Sequence, residues 1–387
     1  MRLGAHSILN VAEARDRARS RLPRGLFEYI ERGTEDEVGL IEAKRSLDSV
    51  TFNPRVLVDI SNRDATTSIF GTRQPLPLVV APTAIAGLIW YDGEVELAKA
   101  AAAAGIPFCV STQSITSVER IAEESRARLW FQLYVWRNRD RAIQLVKRAE
   151  RAGAEALVLT VDTAVAPNRE YNIRNGFGIP IKPSLRAGLD CVAHPRWFVT
   201  VFAKYLRNGG VPTYAHYPDE FRTALGRVAV ADEISLAQDV SWEDVRTLRS
   251  AWKGQLILKG VLRADDAVRA AELGVDGIVV SNHGARNLDG AATPATCLPE
   301  IVDRVGHRLT VLADGGVRRG SHVAKYIGMG AQGVLLGRSV LYGLAIGGAE
   351  GAGAVLDIFR RELLTTMGFL GAPSIPDIVG TVVPARG

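Results

Sequence analysis

Cysteine is scarce in this chain of 387 residues: Cys109, Cys191 and Cys297 make an odd count, lie far apart and show no CxxC spacing. That argues against a disulfide framework or a zinc site and implies a reducing compartment. Long apolar runs are missing too. No stretch reaches the length of about eighteen apolar residues that a membrane span needs, and the N-terminal "MRLGAHSILNVAEARDRARSRLP" has no apolar signal-peptide core. Neither a span nor a signal peptide is expected. Charge of one sign is not concentrated either, because the net +5 comes from basic residues spread among acidic ones. No nucleic-acid partner is expected from that pattern, which suits small anions or an anionic membrane surface. With no Walker A, HExxH or GxSxG motif, metal and serine-nucleophile chemistry are not expected.

What the chain has is a repeated alternation. With 47% hydrophobic residues it can bury a large core, and barrels of alternating strands and helices use about 250 residues or more in one domain. Eight short apolar runs rich in β-branched residues recur at 76–82, 106–112, 129–135, 156–162, 255–260, 277–283, 310–316 and 333–338. Stretches such as "GEVELAKAAAAAG" and "RADDAVRAAELG" follow them with helical spacing and a closing glycine. Eight strand-then-helix units imply a single-domain (β/α)₈ TIM barrel, whose chemistry sits at the C-terminal strand ends. Residues 1–75 read as a helical N-terminal extension. Residues 163–241, too long for an ordinary crossover, read as a lid or contact insertion. "GGAEGAG" at 347–353 reads as a loop.

The strand ends carry the reactive residues. In "VVSNHGARNLDG" (279–290) the sixth run stops at His283, with Arg286 three residues on. A neutral imidazole can accept a proton, while a guanidinium can grip a carboxylate with two parallel hydrogen bonds. Asp162 at the end of the fourth run either fixes the tautomer of His283 or caps the following loop. Arg169 lies on that loop as a second candidate arginine or as a solvated one. Lys259 closes an apolar run and must be paired or used, as a Schiff-base lysine of a lyase or as the charge beside an electron-rich cofactor ring. Glycine beside arginine in "DGGVRRG" and "LLGRS" suits a phosphate cradle after strands seven and eight. Together these residues fit oxidation of a 2-hydroxy acid by a phosphate-bearing cofactor. The competing readings are the Schiff-base barrel lyase and a non-catalytic membrane-surface protein.

The motifs "APTAIAG", "LWFQLYV", "LTVDT", "LKGV", "SNHGARNLDG", "LADGGVRRG" and "LLGRS" occur in the order and spacing of one family. From "FEYIERGTEDE" to "GFLGAPSIPDI" the chain resembles the FMN-dependent 2-hydroxy acid dehydrogenases and oxidases, above all the bacterial (S)-mandelate dehydrogenases and next the membrane-bound L-lactate dehydrogenases. The resemblance implies that Pro82, Thr83, Ala84, Ser111, Gln132, Tyr134, Thr160, Lys259 and Ser281 hold the flavin ring and ribityl chain. Asp314, Gly315, Gly316, Val317, Arg318, Gly337 and Arg338 would hold the ribityl chain and phosphate. Arg169 and Arg286 would bind the substrate carboxylate, Tyr29 and Tyr134 would hydrogen-bond carboxylate and hydroxyl, and His283 paired with Asp162 would be the base, acting on the hydroxyl or on the Cα proton.

One position departs from the pattern. The family usually has two glycines after the histidine, and Ala285 stands at the second. A methyl there is tolerable at negative φ and costly in a left-handed conformation. "HPRWFVTVFAKYLRNGG" resembles the membrane-attachment segment of the mandelate dehydrogenases, with Trp197, Phe198, Phe202 and Tyr205 interleaved with basic residues. The expectation is a cytoplasmic homotetramer, peripheral on the inner face of the cell membrane through 190–215. It would oxidise mandelate or a similar aromatic acid, with lactate as the alternative, and pass electrons to a quinone or to oxygen.

Overall fold

The computed structural model describes residues 7–176, 185–222 and 232–383. Eight strands close into a barrel: β1 (Leu78–Val80), β2 (Phe108–Ser111), β3 (Leu129–Leu133), β4 (Ala156–Thr160), β5 (Gln255–Val261), β6 (Gly277–Val280), β7 (Thr310–Ala313) and β8 (Gly333–Leu336). Neighbours pair in parallel, in the order β7-β8-β1-β2-β3-β4-β5-β6. These are the eight apolar runs, each trimmed where its last residues leave the sheet for the rim.

Alternation along the strands splits the core in two. Val79, Cys109, Trp130, Val158, Ile257, Val279, Leu312 and Leu335 fill the barrel interior, while their sequence neighbours pack outward under the helices. The N-terminal extension closes the far end. It is helical over Val11–Arg21, Arg24–Glu31 and Val38–Ser49, but not throughout as expected, since Thr67–Ile69 and Thr72–Gln74 form a hairpin. Phe70 at its turn packs edge-on to Trp130 at 5.8 Å and plugs the barrel at the N-terminal strand ends. Helix Arg24–Glu31 instead carries Tyr29 and Ile30 to the opposite mouth, where both line the central cavity.

The loop expected at 347–353 needs correcting. "GGAEGAG" is not a loop but part of Arg338–Leu370, with only Gly347 and Gly348 leaving helical geometry. Glycine is required nearby for packing: a Cβ on Gly351 would come within 2.1 Å of the Gly343 carbonyl. That helix also contains an eighteen-residue window of mean hydropathy 1.3, apolar enough for a span by length and composition. Some 72% of the window is buried within the protein, as in a core helix.

The insertion continues over the mouth with Glu170–Asn175, Leu185–Ala193 and a helical run from Pro195 to Asn208 that includes a π-turn at Phe198–Phe202. Inward side chains pin it: Trp197 Nε1 donates to the Leu88 carbonyl at 2.7 Å, and the Tyr205 hydroxyl accepts from the Asp92 amide at 3.0 Å. His216 is the deepest anchor. Its Nε2 accepts from the Val118 amide at 3.0 Å while Nδ1 faces the Ser111 and Thr112 carbonyls, and burial pushes the imidazole down to about 4. Trp197, read with Phe198, Phe202 and Tyr205 as part of an interfacial segment, is buried, and the exposed apolar residues there are Leu189, Val192, Phe198, Val199, Leu206 and Val211.

Candidate active site

Beyond Val280 the chain turns left-handed for three residues, His283 (φ 58°), Gly284 (φ 63°) and Ala285 (φ 57°). Hydrogen bonds hold this turn: the His283 amide donates to Ser281 Oγ, and the Ala285 amide donates to the Asn282 carbonyl. A Cβ on Gly284 would stand 2.8 Å from the tip of the Arg338 side chain. Ala285 therefore occupies the costly alternative. Its methyl is wholly buried against Gly39.

The turn aims His283 into the mouth, with Nδ1 2.9 Å from Asp162 Oδ1. Asp162 also accepts from the hydroxyl of Thr163 at 3.1 Å and from Asn287 Nδ2 at 3.3 Å. Burial alone would raise the Asp162 carboxyl, but His283, Lys259 and Thr163 outweigh it and hold it below the usual carboxylate range. Burial depresses His283, and the Lys259 and Arg169 cations add to that, so it lies below its ordinary 6.5 in spite of Asp162. The result is an ionised aspartate and a neutral imidazole. With the Nδ1 proton shared with Asp162, Nε2 keeps its lone pair for a ligand.

Lys259 lies inside the end of β5 and is 5% exposed, donating to Ser281 Oγ at 3.0 Å and pairing with Asp314 Oδ2 at 3.3 Å. Burial works against its charge, yet Asp314 and Asp162 more than reverse this and raise the ammonium above its ordinary value. A cationic lysine is a poor Schiff-base nucleophile. Beside it Gln132 is fixed between neighbours: its Oε1 accepts from Ser111 Oγ and the Thr112 amide, and its Nε2 donates to Thr160 at 3.0 Å.

Four guanidiniums converge on the same cavity. Arg169 donates from Nε and Nη2 to the Arg286 carbonyl, and Arg286 donates from Nη1 to the Tyr29 and Arg32 carbonyls while lying 5.1 Å over the Tyr29 ring. Arg338 donates to the Ile30 and Arg32 carbonyls. Arg318 lies over Tyr342. Among the described residues none of the four has an ion-pair partner. Arg169 is pushed down to about 10 by burial and Arg286, and Arg338 to about 10 by burial, Arg286 and Arg318. Half-buried cations without an ion-pair partner at a cavity wall call for anions, and this arrangement fits two, one at each pair.

The flavin expected from the motifs passes this test. Gly315 and Gly316 have φ 90° and 70°, and a Cβ on Gly316 would strike the Ala43 carbonyl at 2.3 Å, so backbone alone lines that wall below Arg318. Asp314 Oδ1 and Thr83 Oγ1 are buried polar atoms with no partner among the described residues, on residues that line the cavity. A phosphate at Arg318 and Arg338, ribityl hydroxyls along Asp314 and a ring edge at Lys259 suit these groups.

The cavity brings together Pro82, Thr83, Ala84, Ser111, Gln132, Tyr134, Thr160, Lys259, Asp314–Arg318, Gly337, Arg338, Tyr29, Arg169, His283 and Arg286. Ser281 and Asp162 are not on its wall: Ser281 is fully buried behind it, holding Lys259 and the His283 amide, and Asp162 stands behind His283. Tyr134, buried and beside Asp162, is pushed up to about 12 and stays protonated. Sequence reasoning missed Asn287, although it stands inside the quoted motif, and Gln113, which follows the second strand's Ser111–Thr112 end. Gln113, Tyr29, Tyr134 and Arg169 also open onto an outer chamber of about 330 Å³ lined by Ala166, Pro167, Asn172, Ile173 and Leu236.

Known proteins resemble this chain in sequence and in fold. The FMN-dependent dehydrogenase family profile matches residues 18–384. The chain is 38% identical to the L-lactate dehydrogenase of Caulobacter vibrioides, over 98% of both chains. It is also 38% identical to the (S)-mandelate dehydrogenase of Pseudomonas putida, over 97% of this chain and 93% of that one. The crystal structure of the monotopic membrane protein (S)-mandelate dehydrogenase superposes with TM-score 0.92 at 36% identity, covering 98% of this chain and all of that one.

Proposed function

The chain belongs to the FMN-dependent dehydrogenase family and is an FMN-dependent 2-hydroxy acid dehydrogenase or oxidase; on that premise we propose that it oxidises an aromatic (S)-2-hydroxy acid such as mandelate to the 2-oxo acid. The observation that carries this reading is the neutral His283, backed by Asp162, opening onto the same cavity as the unpaired Arg169 and Arg286.

When bound, FMN would supply the two-electron acceptor of the reaction. Arg318, Arg338 and the Gly315–Gly316 backbone would hold its phosphate, with Gly337 and Val317 beside them; Asp314 would take the ribityl chain, and Pro82, Thr83, Ala84, Gln132 and Thr160 would frame the ring. Lys259 contributes a fixed positive charge there. Arg169 and Arg286 grip the substrate carboxylate, and Tyr29 and Tyr134 hydrogen-bond carboxylate and hydroxyl. These contacts place the substrate against His283 Nε2, which removes one proton. Loss of that proton together with a hydride equivalent converts the alcohol to the ketone. The same residues serve whether His283 takes the hydroxyl proton or the one on Cα.

The outer chamber supports a substrate with a ring rather than a methyl group. The relatives named L-lactate dehydrogenase support lactate as the second reading. The exposed aliphatic face of Leu189, Val192, Val199 and Leu206 supports peripheral membrane attachment through 190–215, and with it a quinone as acceptor. The whole chain acts as one domain, in a homotetramer. Steady-state kinetics with (S)-mandelate and L-lactate test the substrate: the reading requires the higher kcat/KM for mandelate, and a preference for lactate overturns it.

A further inference from the structure

Two loops build the reacting end, one after β4 carrying Asp162 and Arg169 and one after β6 carrying His283 and Arg286. Besides the His283–Asp162 bond and the bonds from Arg169 to the Arg286 carbonyl, one side chain, Asn287, touches both Asp162 and Arg169. Asn287 Nδ2 lies 2.9 Å from the Asp162 carbonyl, 3.3 Å from Asp162 Oδ1 and 2.8 Å from Thr163 Oγ1, while its Oδ1 faces Arg169 Nη2 at 3.5 Å. Its amide donors thus reach the carboxylate that orients His283, and its acceptor reaches the guanidinium beside the cavity. Asn287 Nδ2 is one of three donors, with His283 Nδ1 and Thr163 Oγ1, that meet Asp162 Oδ1, while Oδ2 is buried and has no partner among the described residues. The Arg286 carbonyl and Asn287 Oδ1 together hold one edge of Arg169, and among the described residues Nη1 is left for a ligand.

We propose that Asn287 is a positioning residue that couples the carboxylate clamp to the base, so that Arg169 and the Asp162–His283 pair are set by one amide. The proposal rests on the reading of His283 as base and Arg169 as clamp. A mere loop staple needs only the bonds to the Asp162 backbone and Thr163. The additional contacts to Asp162 Oδ1 and Arg169 are what tie geometry to chemistry. The groups facing His283 are Asp162, Lys259 and Arg169, with Tyr134, Tyr29 and Arg286 lining the same cavity. Since Asn287 donates to Asp162, its loss strengthens the negative field at His283. Replacement by aspartate adds a second negative charge beside it.

The test uses the FMN-loaded protein and the variants Asn287→Ala, Asn287→Asp and Asn287→Gln. Anaerobic flavin reduction by the better substrate is followed against pH, and affinity for the matching 2-oxo acid is read from the flavin spectrum. Asn287→Ala is expected to slow reduction by about tenfold or more, the scale set by sub-ångström misplacement, and to weaken 2-oxo acid binding. The acid midpoint of the reduction rate should move upward in Asn287→Ala and further in Asn287→Asp, with Asn287→Gln recovering most of the rate. An unchanged midpoint and unchanged 2-oxo acid affinity, whatever the melting temperature, overturns the coupling. If neither mandelate nor lactate reduces the unaltered protein, the functional reading fails. The imidazole titration of His283, followed by NMR in Asn287→Asp, then decides the coupling alone: an upward shift supports it and none refutes it.

Discussion

At the scale of the residue, the active site concentrates strain and unpaired charge in a few positions. Ala285 is held at φ 57°, which costs about 1 kcal/mol relative to glycine. Burial of its methyl returns about 0.8 kcal/mol. The two nearly cancel, so Ala285→Gly should change stability by less than about 1 kcal/mol, read by denaturant titration. A larger gain or loss would contradict that balance. His283 lies below 6.5 because it is buried beside Lys259 and Arg169, and the base must be neutral to act. Activity is therefore full at neutral pH and falls only as pH drops through that depressed value; a kcat/KM profile with its acid limb above pH 6.5 would rule this out. Most of these residues were legible from their place at strand ends. Asn287 was not, because its role comes from a loop more than a hundred positions earlier in sequence, and the bond from Lys259 to the buried Ser281 is likewise visible only in three dimensions.

At the scale of the element, the barrel strands were readable because each is a short apolar run largely buried on both faces and followed by a helical stretch. The hairpin at 67–74 was not. Its strands are three residues each and largely polar, and Phe70 gains its meaning only from Trp130 across the barrel. The kinked helix through Gly347 and Gly348 escaped for the opposite reason, since glycines that read as a loop are there for close packing. The insertion mixes both cases. Its amphipathic character was plain, but which side faces out depended on Trp197 finding the Leu88 carbonyl. If the exposed aliphatic face docks on a bilayer, replacing Leu189, Val192 and Val199 together by serine should move the protein from the membrane fraction to the supernatant while flavin reduction by substrate is retained. Unchanged partition would remove this face from the account.

At the scale of the whole molecule, the insertion and the barrel are one acid-sensitive assembly. His216 joins the insertion to the rim of β2 and is held neutral by burial at about 4, against 6.5 when exposed. Between those values the unfolded chain binds the proton and the folded one does not, so stability is complete above pH 6.5 and declines as pH falls toward 4, by up to about 3 kcal/mol for this group. His322, also pushed down to about 4 by burial and Lys325, acts in the same sense. Melting temperature should therefore fall between pH 6.5 and 4, less steeply in His216→Gln. An identical slope in that variant would remove His216 as a cause.

The central claim is that this barrel binds FMN and uses it to oxidise a 2-hydroxy acid, and it is tested most directly by the visible spectrum of the purified protein under anaerobic conditions before and after addition of (S)-mandelate, with L-lactate in parallel. The account predicts a yellow protein whose flavin band bleaches with mandelate. A protein that neither contains nor takes up FMN, or whose flavin neither acid reduces, would contradict it.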